Sequence, residues 1–507
     1  MSKQIFADAY WEIRRRFEEW KKAANTSEDF EEDEELPFLP GYFRMLALMA
    51  AFIFAHYVSP EGKRIDVIIL EVGVGGRYDA TNIFDHKGTN TVCGVTLIDY
   101  DHTRVLGKAL NQIAWEKGGI FHANKANIAD VFAEDFDASE HNITARPTSE
   151  DSGTSSGSED ENFPAQDENT RFYTISSNPK EVVNVLQSCA FKEGNGQSLG
   201  VVSFGDKVQP EWKVGLPGDH QRLNAELAVA LSDALIKGFV QVNDSSSDVT
   251  RSGQTLEDAL SQTFWPGRCQ TVPIQVAEGQ NPITVRCDGA HTPQSLATCV
   301  DWFRAVSGYD DGADDNGEEQ EQAKNSPRFL LFNCSHERNP IPLLQMIQRI
   351  ENSQGRPLFD QIYFCRADSE RPSALKKASA QELLVEAGIL KAAPANDGGD
   401  GEEESSSSSW QDTLANVWMA LVARKDSMGL LEVPCVTNVT VGEAMNVIKH
   451  SIERNQAAAT ATSEDGDKTS AEVCVTGSLY MVGSALNAAE WTETPCDGQL
   501  AFDSMAS

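Results

Sequence analysis

The sequence predicts an α/β protein of two domains, and three observations lead there. Two apolar runs rich in β-branched residues, Ile65–Val72 and Thr91–Ile98, each break into a polar, turn-rich segment, the pattern of buried parallel strands. A helix pattern, Lys108–Gly118, follows the second run. Beyond residue 283, segments of strand and helix length alternate with some regularity, which predicts a doubly wound parallel sheet.

Taken in order, residues 4–22 place Ile5, Phe6, Ala9, Ile13, Phe17 and Trp20 at helical spacing with charge between them. An acidic loop runs to Glu35, and Pro40-Gly41 opens a mostly apolar helix, Tyr42–Tyr57, expected to pack against the sheet. After the strand–turn–strand–helix unit, residues 134–171 read as low-complexity linker rich in Ser, Glu, Asp and Asn. Order resumes with Arg171–Ile175, a helix from Pro179 to Ala190, and Val201–Val208. Gly218–Lys237 is a glycine-entered helix with Leu223, Leu227, Val229, Leu231 and Leu235 as its core residues. Trp265-Pro266-Gly267-Arg268 punctuates the chain, and the two domains are placed at 1–255 and 256–507. In the second, strands are expected at 283–287, 328–333, 360–365, 433–438 and 472–476. Helices are expected at 293–306, 340–352, 379–390, 411–423, 441–453 and 478–489. Acidic insertions at 309–326 and 396–409 fall between elements, where a surface loop tolerates added length.

The formal charge of −35 describes those insertions more than the folded parts, because the blocks 28–35, 134–171, 309–326 and 396–409 hold −27 of it. Such blocks cannot bury enough apolar surface to fold and read as solvated loops. The chain has no basic stripe or aromatic platform for nucleic acid. Its ten cysteines include no Cys-x-x-Cys pair, as expected of free thiols in a reducing compartment. No apolar run approaches the ~20 residues of a membrane span. Arg14-Arg15-Arg16 hints at a transit peptide, but Asp8, Glu12, Glu18 and Glu19 argue against one.

In open α/β sheets, ligands sit beyond the carboxyl ends of the strands. Glu71, Asp101 and His102 are therefore expected to face one crevice, with Lys117 reaching it from the following helix. A carboxylate, an imidazole and a lysine together suit a metal and a phosphate. A carboxylate at the end of a buried strand needs a cation or an ion pair, so Mg²⁺ and Arg77 are both candidate partners of Glu71. His102 is read either as a ligand or as a hydrogen-bonded structural group, imidazole suiting softer metals than magnesium. Lys117 by itself reads as a surface lysine. Gly73–Arg77 is no nucleotide fingerprint; its glycines serve a tight turn and close backbone approach. Asp288–Thr292 ends a strand just before a helix opened by Pro293, a place that attracts phosphate. Arg268 carries a fork of donors suited to phosphate oxygens. An interdomain salt bridge for Arg268 and a helix cap for Asp288 are the structural alternatives.

Several segments carry a resemblance to a known family. They are EVGVGGRYDATNI from Glu71, DHTRVLG from Asp101, IAWEKGGIF from Ile113, GDHQRLNAELA at 218–228, WPGR at 265–268, DGAHT at 288–292 and VTGSLYMVG at 475–483. In order and wording they resemble the folylpolyglutamate synthases of the Mur-ligase superfamily, over most of the chain outside its acidic insertions. The resemblance implies a Mur-ligase-like central P-loop-type α/β domain, N-terminally truncated, and a C-terminal doubly wound Rossmann-like domain, with disordered acidic insertions. The family's phosphate-binding loop, G-x-x-G-K-[GST]-S, is not supplied: Gly62-Lys63 runs into Arg64, and Gly107-Lys108 into Ala109.

The implied reaction is ATP-dependent addition of L-glutamate to the γ-carboxylate of a tetrahydrofolyl polyglutamate through an acyl phosphate. Glu71 and His102 match metal ligands, Lys117 a lysine that becomes a carbamate, and His291 a catalytic residue. Arg268, Asp288 and Asn224 match ATP contacts. Mg²⁺ and ATP are the implied cofactors, with a monovalent cation as a candidate addition. Folate polyglutamates and L-glutamate are the implied partners of a monomer without a membrane span, cytoplasmic or also mitochondrial. Two other readings stay open: a catalytically impaired truncated form or incomplete gene model of that enzyme, and a dihydrofolate synthase-type ligase.

Overall fold

The computed structural model describes residues 3–24, 40–59, 62–82, 91–121, 171–194, 196–243, 253–275, 282–309, 326–336, 338–348, 357–368, 378–391, 409–425, 433–462 and 470–492. The acidic blocks lie almost wholly outside these residues. None of the described helices is long and apolar enough to cross a membrane.

Helical spacing of charge and apolar residues makes α1 (Lys3–Ala24), braced by Glu12 against Arg15 and Arg16. Its Ala9 packs with Met45 and Met49 of α2 (Tyr42–His56). The apolar character of α2 predicted a sheet-backed helix; in the structure only Met45 and Met49 of it are buried, and its core partner is α1.

Ile65–Val72 does not form the expected strand. The segment is irregular, and Val67, Ile68, Ile69 and Leu70 are exposed, Ile69 to 92%. A strand exists only by pairing. No described strand pairs with this segment, and the parallel sheet it was expected to join has β1 (Cys93–Val95) at its edge, followed by β2 (Phe172–Ile175) and β3 (Leu199–Val202). On one face of that sheet lie α3 (Thr103–Leu106), α4 (Leu110–Gly118) and α5 (Lys180–Glu193), joined through Leu106, Ile113, Ala114, Val182 and Leu186. On the other lies α6 (Asp219–Asn243), which sets Leu223, Leu227 and Ala230 on Ile175 and Val202. A helix the sequence reading missed, α7 (Gly253–Ser261), brings Leu256 and Leu260 to Val208, Ala225 and Val229, so it packs with this first sheet's helices.

The second sheet is the doubly wound one. Its strands are β4 (Gln270–Ile274), β5 (Ile283–Cys287), β6 (Arg328–Phe332), β7 (Gln361–Arg366), β8 (Cys435–Thr440) and β9 (Ala471–Thr476), in spatial order β4-β5-β9-β6-β7-β8. All pairings are parallel except β4 with β5, an antiparallel edge that the alternation of strands and helices did not foretell. Period-two alternation divides the side chains between two cores. Leu330, Phe332, Ile362 and Phe364 meet α8 (Pro293–Val306), α9 (Ile341–Gln348), α10 (Ala380–Glu386) and α11 (Trp410–Lys425). Phe329, Leu331, Tyr363 and Cys365 meet α12 (Val441–Thr462) and α13 (Leu479–Ala488).

Seven cysteines, Cys189, Cys269, Cys287, Cys299, Cys334, Cys365 and Cys474, are buried. Burial pushes the Cys189 and Cys334 thiols up to about 12, so neither supplies a reactive thiolate near neutrality. Ellman's reagent at pH 8 is expected to leave these seven unlabelled in the native chain and to count all ten in denaturant. A native titre above three contradicts the packing described here.

Candidate active site

The loop beyond β1 carries Asp99, Asp101 and His102, and it meets the second sheet's loops. Asp101 is the centre. Arg338, in the loop after β6, donates from Nε to Oδ1 at 2.9 Å and from Nη2 to Oδ2 at 3.2 Å. His291, after β5, sets Nε2 at 3.3 Å from Oδ2, while its Nδ1 donates to the Gly289 carbonyl at 2.7 Å. His102 holds a left-handed backbone, φ 47°, and its Nε2 lies 3.6 Å from the same Oδ2. Burial works to raise the Asp101 carboxyl's pKa, but hydrogen bonds from His291 and Arg338 outweigh it and hold the group well below the usual carboxylate range. Asp99 accepts the Gln294 backbone N–H at 3.1 Å, tying the loop to the first turn of α8.

Lys117 stands on α4, largely withdrawn from water. Burial pushes its pKa down and the Asp101 charge opposes that, so the lysine lies within electrostatic reach of the same carboxylate. Three of the sequence candidates, His102, Lys117 and His291, therefore share one centre.

A second group adjoins the first along Asp288–His291. Asp288 is buried and accepts from the backbone N–H of Cys269 at 2.8 Å and of Ala290 at 2.9 Å. It is not the helix cap offered as its alternative role, because Thr292 caps α8 by accepting from Ser295 N. Arg268 crosses Gly289 closely: a methyl there would meet its Nη1 at 2.5 Å. Gly477, at φ +97°, abuts the Asn333 carbonyl and donates its N–H to Ala290 O at 2.8 Å, so the loops beyond β5, β6 and β9 converge. Asn224 sits on α6 and donates to Gln221 at 3.1 Å.

Glu71 is the exception among the candidates. It lies in the exposed segment described above instead of at a strand's end. Among the described residues no three His, Cys, Asp or Glu side chains are gathered as a metal site, so Glu71, Asp101 and His102 do not meet as a ligand set. Nor does Arg77 pair with Glu71. It forms a buried ion pair with Glu193 at 2.7 Å and lies 3.7 Å over the Trp115 ring. The glycines of 73–77 do what was expected: Gly75 takes φ +70°, and a methyl on Gly76 would stand 2.7 Å from the Lys117 carbonyl.

Sequence reasoning missed Arg338 and Glu226. Arg338 follows a strand in the second sheet, and the rule that drew attention to Glu71 applies equally there. Glu226 is wholly buried on α6 and accepts the N–H groups of Gly205, Lys207 and Val208, fixing the loop after β3. Nothing in its local sequence separates it from a surface glutamate.

No family model matches the chain. Curated relatives do. Bovine (Bos taurus) mitochondrial folylpolyglutamate synthase is 28% identical over 399 residues, covering 76% of this chain and 54% of that one. The Arabidopsis thaliana folylpolyglutamate synthase is 27% identical over 472 residues, covering 90% of this chain and 67% of that one. The chain is similar to the folylpolyglutamate synthases. It spans about half the length of the mammalian relatives it matches, 54% of the bovine and 50% of the human protein. Among solved structures, Mycobacterium tuberculosis folylpolyglutamate synthase, complexed with ADP and AMPPCP, superposes with a TM-score of 0.53 at 17% identity, covering 97% of this chain and 80% of that one. At that identity the likeness shows the shared fold.

Proposed function

We propose that the chain is an ATP-dependent ligase that adds L-glutamate to the γ-carboxylate of a tetrahydrofolyl polyglutamate. The observation that carries this reading is the Asp101 centre, where the first sheet's Lys117 and His102 meet the second sheet's His291 and Arg338. An amide-forming site must hold an anionic acyl phosphate and an amino acid side by side, and this crevice sets the Arg338 guanidinium beside nitrogen donors from both sheets. The relatives named folylpolyglutamate synthase supply the substrates.

Arg268 and the loop 288–291 take the nucleotide's phosphates, with Asn224 toward its base and Asp288 holding the loop in shape. Arg338, whose Nε and Nη2 hold Asp101, takes a carboxylate of the incoming amino acid with the N–H groups of its other edge. His291, fixed by Gly289, stands beside it to handle the amine's proton. Burial favours the neutral amine on Lys117 that carbamate formation requires.

Magnesium suits a site poor in protein ligands, since it keeps water and phosphate oxygens in most positions, but the expected Glu71–His102 ligand pair does not fit it as placed, because Glu71 lies apart from the Asp101 centre. When bound, the ion would neutralise charge on the transferring phosphoryl group. We place the domain boundary after α7, between Ser261 and Trp265, because α7 packs with the first domain. The reading is completed by a monomer in the cytoplasm or, as two relatives' names suggest, mitochondria.

A second reading, nucleotide binding without ligation, is favoured by one observation: Glu71 stands outside any ligand set. The test is ADP release from ATP with Mg²⁺, L-glutamate and tetrahydrofolate, each omitted in turn. Release that needs all of them is expected of the ligase. Nucleotide binding with no glutamate-dependent release supports the second reading, and turnover with dihydropteroate in place of tetrahydrofolate moves the substrate to the dihydrofolate synthase type.

A further inference from the structure

The first turn of α6 holds a histidine to which the proposed reaction gives no part. His220 follows Gly218, whose φ of +102° folds the chain back so that the ring leans on it. A methyl at Gly218 would stand 2.8 Å from the ring's Cε1 and 2.9 Å from Nδ1. Nδ1 is sealed from water and has no hydrogen-bond partner among the described residues. A buried N–H without an acceptor is the costlier kind of orphan, so the ring's proton belongs on Nε2. Burial pushes the ring's pKa down; the opposing Asp288 and Asp219 charges and the reinforcing Arg268 charge are smaller influences, and the ring stays neutral.

The outcome is a fixed, uncharged N–H donor within electrostatic reach of Arg268 and Asp288. Because the Nδ1–Cε1 edge rests on Gly218, Nε2 is the one ring nitrogen left to donate to a ligand. Asn224, assigned to the base side, lies four residues on and so on the same face of α6. His220 thus stands on the helix face between the base side and the phosphate side of the nucleotide site.

We infer that His220 is a nucleotide-binding residue, its Nε2–H donating to a phosphate oxygen that Arg268 also holds. This rests on the nucleotide reading above and adds to it a donor from the first domain, so that the nucleotide bridges α6 and the 265–268 turn. Removing one such donor from a preformed site typically weakens binding about tenfold.

Calorimetric titration of the full chain with ADP tests it, for wild type, His220→Leu and His220→Gln, with the melting temperature of each ligand-free chain. His220→Leu is expected to weaken ADP about tenfold at an unchanged melting temperature, and His220→Gln, whose amide N–H replaces the donor, to recover most of the loss. Equal ADP affinity in wild type and His220→Leu overturns the inference. So does a loss in His220→Leu that tracks a fall in melting temperature and that glutamine does not rescue. Failure of wild type to bind ADP overturns the nucleotide reading itself, a distinct result.

Discussion

Replacing Arg77 by alanine is expected to lower the stability of the first sheet by about 3–5 kcal/mol, because it strands a buried carboxylate. The Arg77 and Glu193 side chains are only 7% and 9% exposed, and their bidentate contact, at 2.7 Å through both Nη1 and Nη2, is shielded from salt and water. The guanidinium also donates to the Trp115 carbonyl at 3.1 Å and covers the indole, so its loss removes packing as well as charge. The pair joins the loop before β1 to the end of α5 and the body of α4. Native-state hydrogen exchange over Phe172–Ile175 measures the effect locally. The double replacement Arg77→Met with Glu193→Leu should recover most of the loss, since an apolar pair of similar volume removes both desolvated charges. If Arg77→Ala exchanges as wild type does, the pair contributes nothing and the loop is held some other way.

The second large effect concerns Arg338. In a chain that shows glutamate-dependent ADP release, Arg338→Ala should lower kcat/KM for glutamate by roughly 30- to 150-fold, the worth of about 2–3 kcal/mol for one charged, forked hydrogen-bond donor. The loss should fall on the KM for glutamate and leave that for ATP nearly unchanged, because Arg338 sits on Asp101 and not beside Arg268. Arg338→Lys should recover only part, since an ammonium cannot hold both Asp101 oxygens as Nε and Nη2 do and still present a second edge of donors to the substrate. A variant that binds glutamate normally but loses ATP would move Arg338 to the nucleotide and remove the carboxylate assignment.

Elements whose signals are local were read well from the chain. Pro293 at the first helical position and Thr292 before it start α8 where expected, and it ends at Val306, the residue predicted. The apolar strands of the second sheet carry their own evidence in length and β-branching, which is why β5 and β6 matched within a residue. The same signals failed at Ile65–Val72, where composition said strand but no described strand pairs with the segment. They were silent on β4, whose antiparallel pairing is a property of its neighbour and not of its own residues.

By itself, then, the amino-acid order determined the class of fold, most of the second sheet's elements and the family resemblance, and it pointed to Asp101, His102, Lys117 and His291 as candidates. Tertiary structure alone decided that Asp101 is their centre, since its guanidinium partner lies 237 residues away on another sheet. It also decided that Arg77 belongs to Glu193, that Glu226 is buried, and that Glu71 stands apart. The reason is physical. Periodicity and capping act over a turn or two of chain, whereas the choice of a charge's partner depends on which strand ends the sheet order brings together, and no local pattern records that.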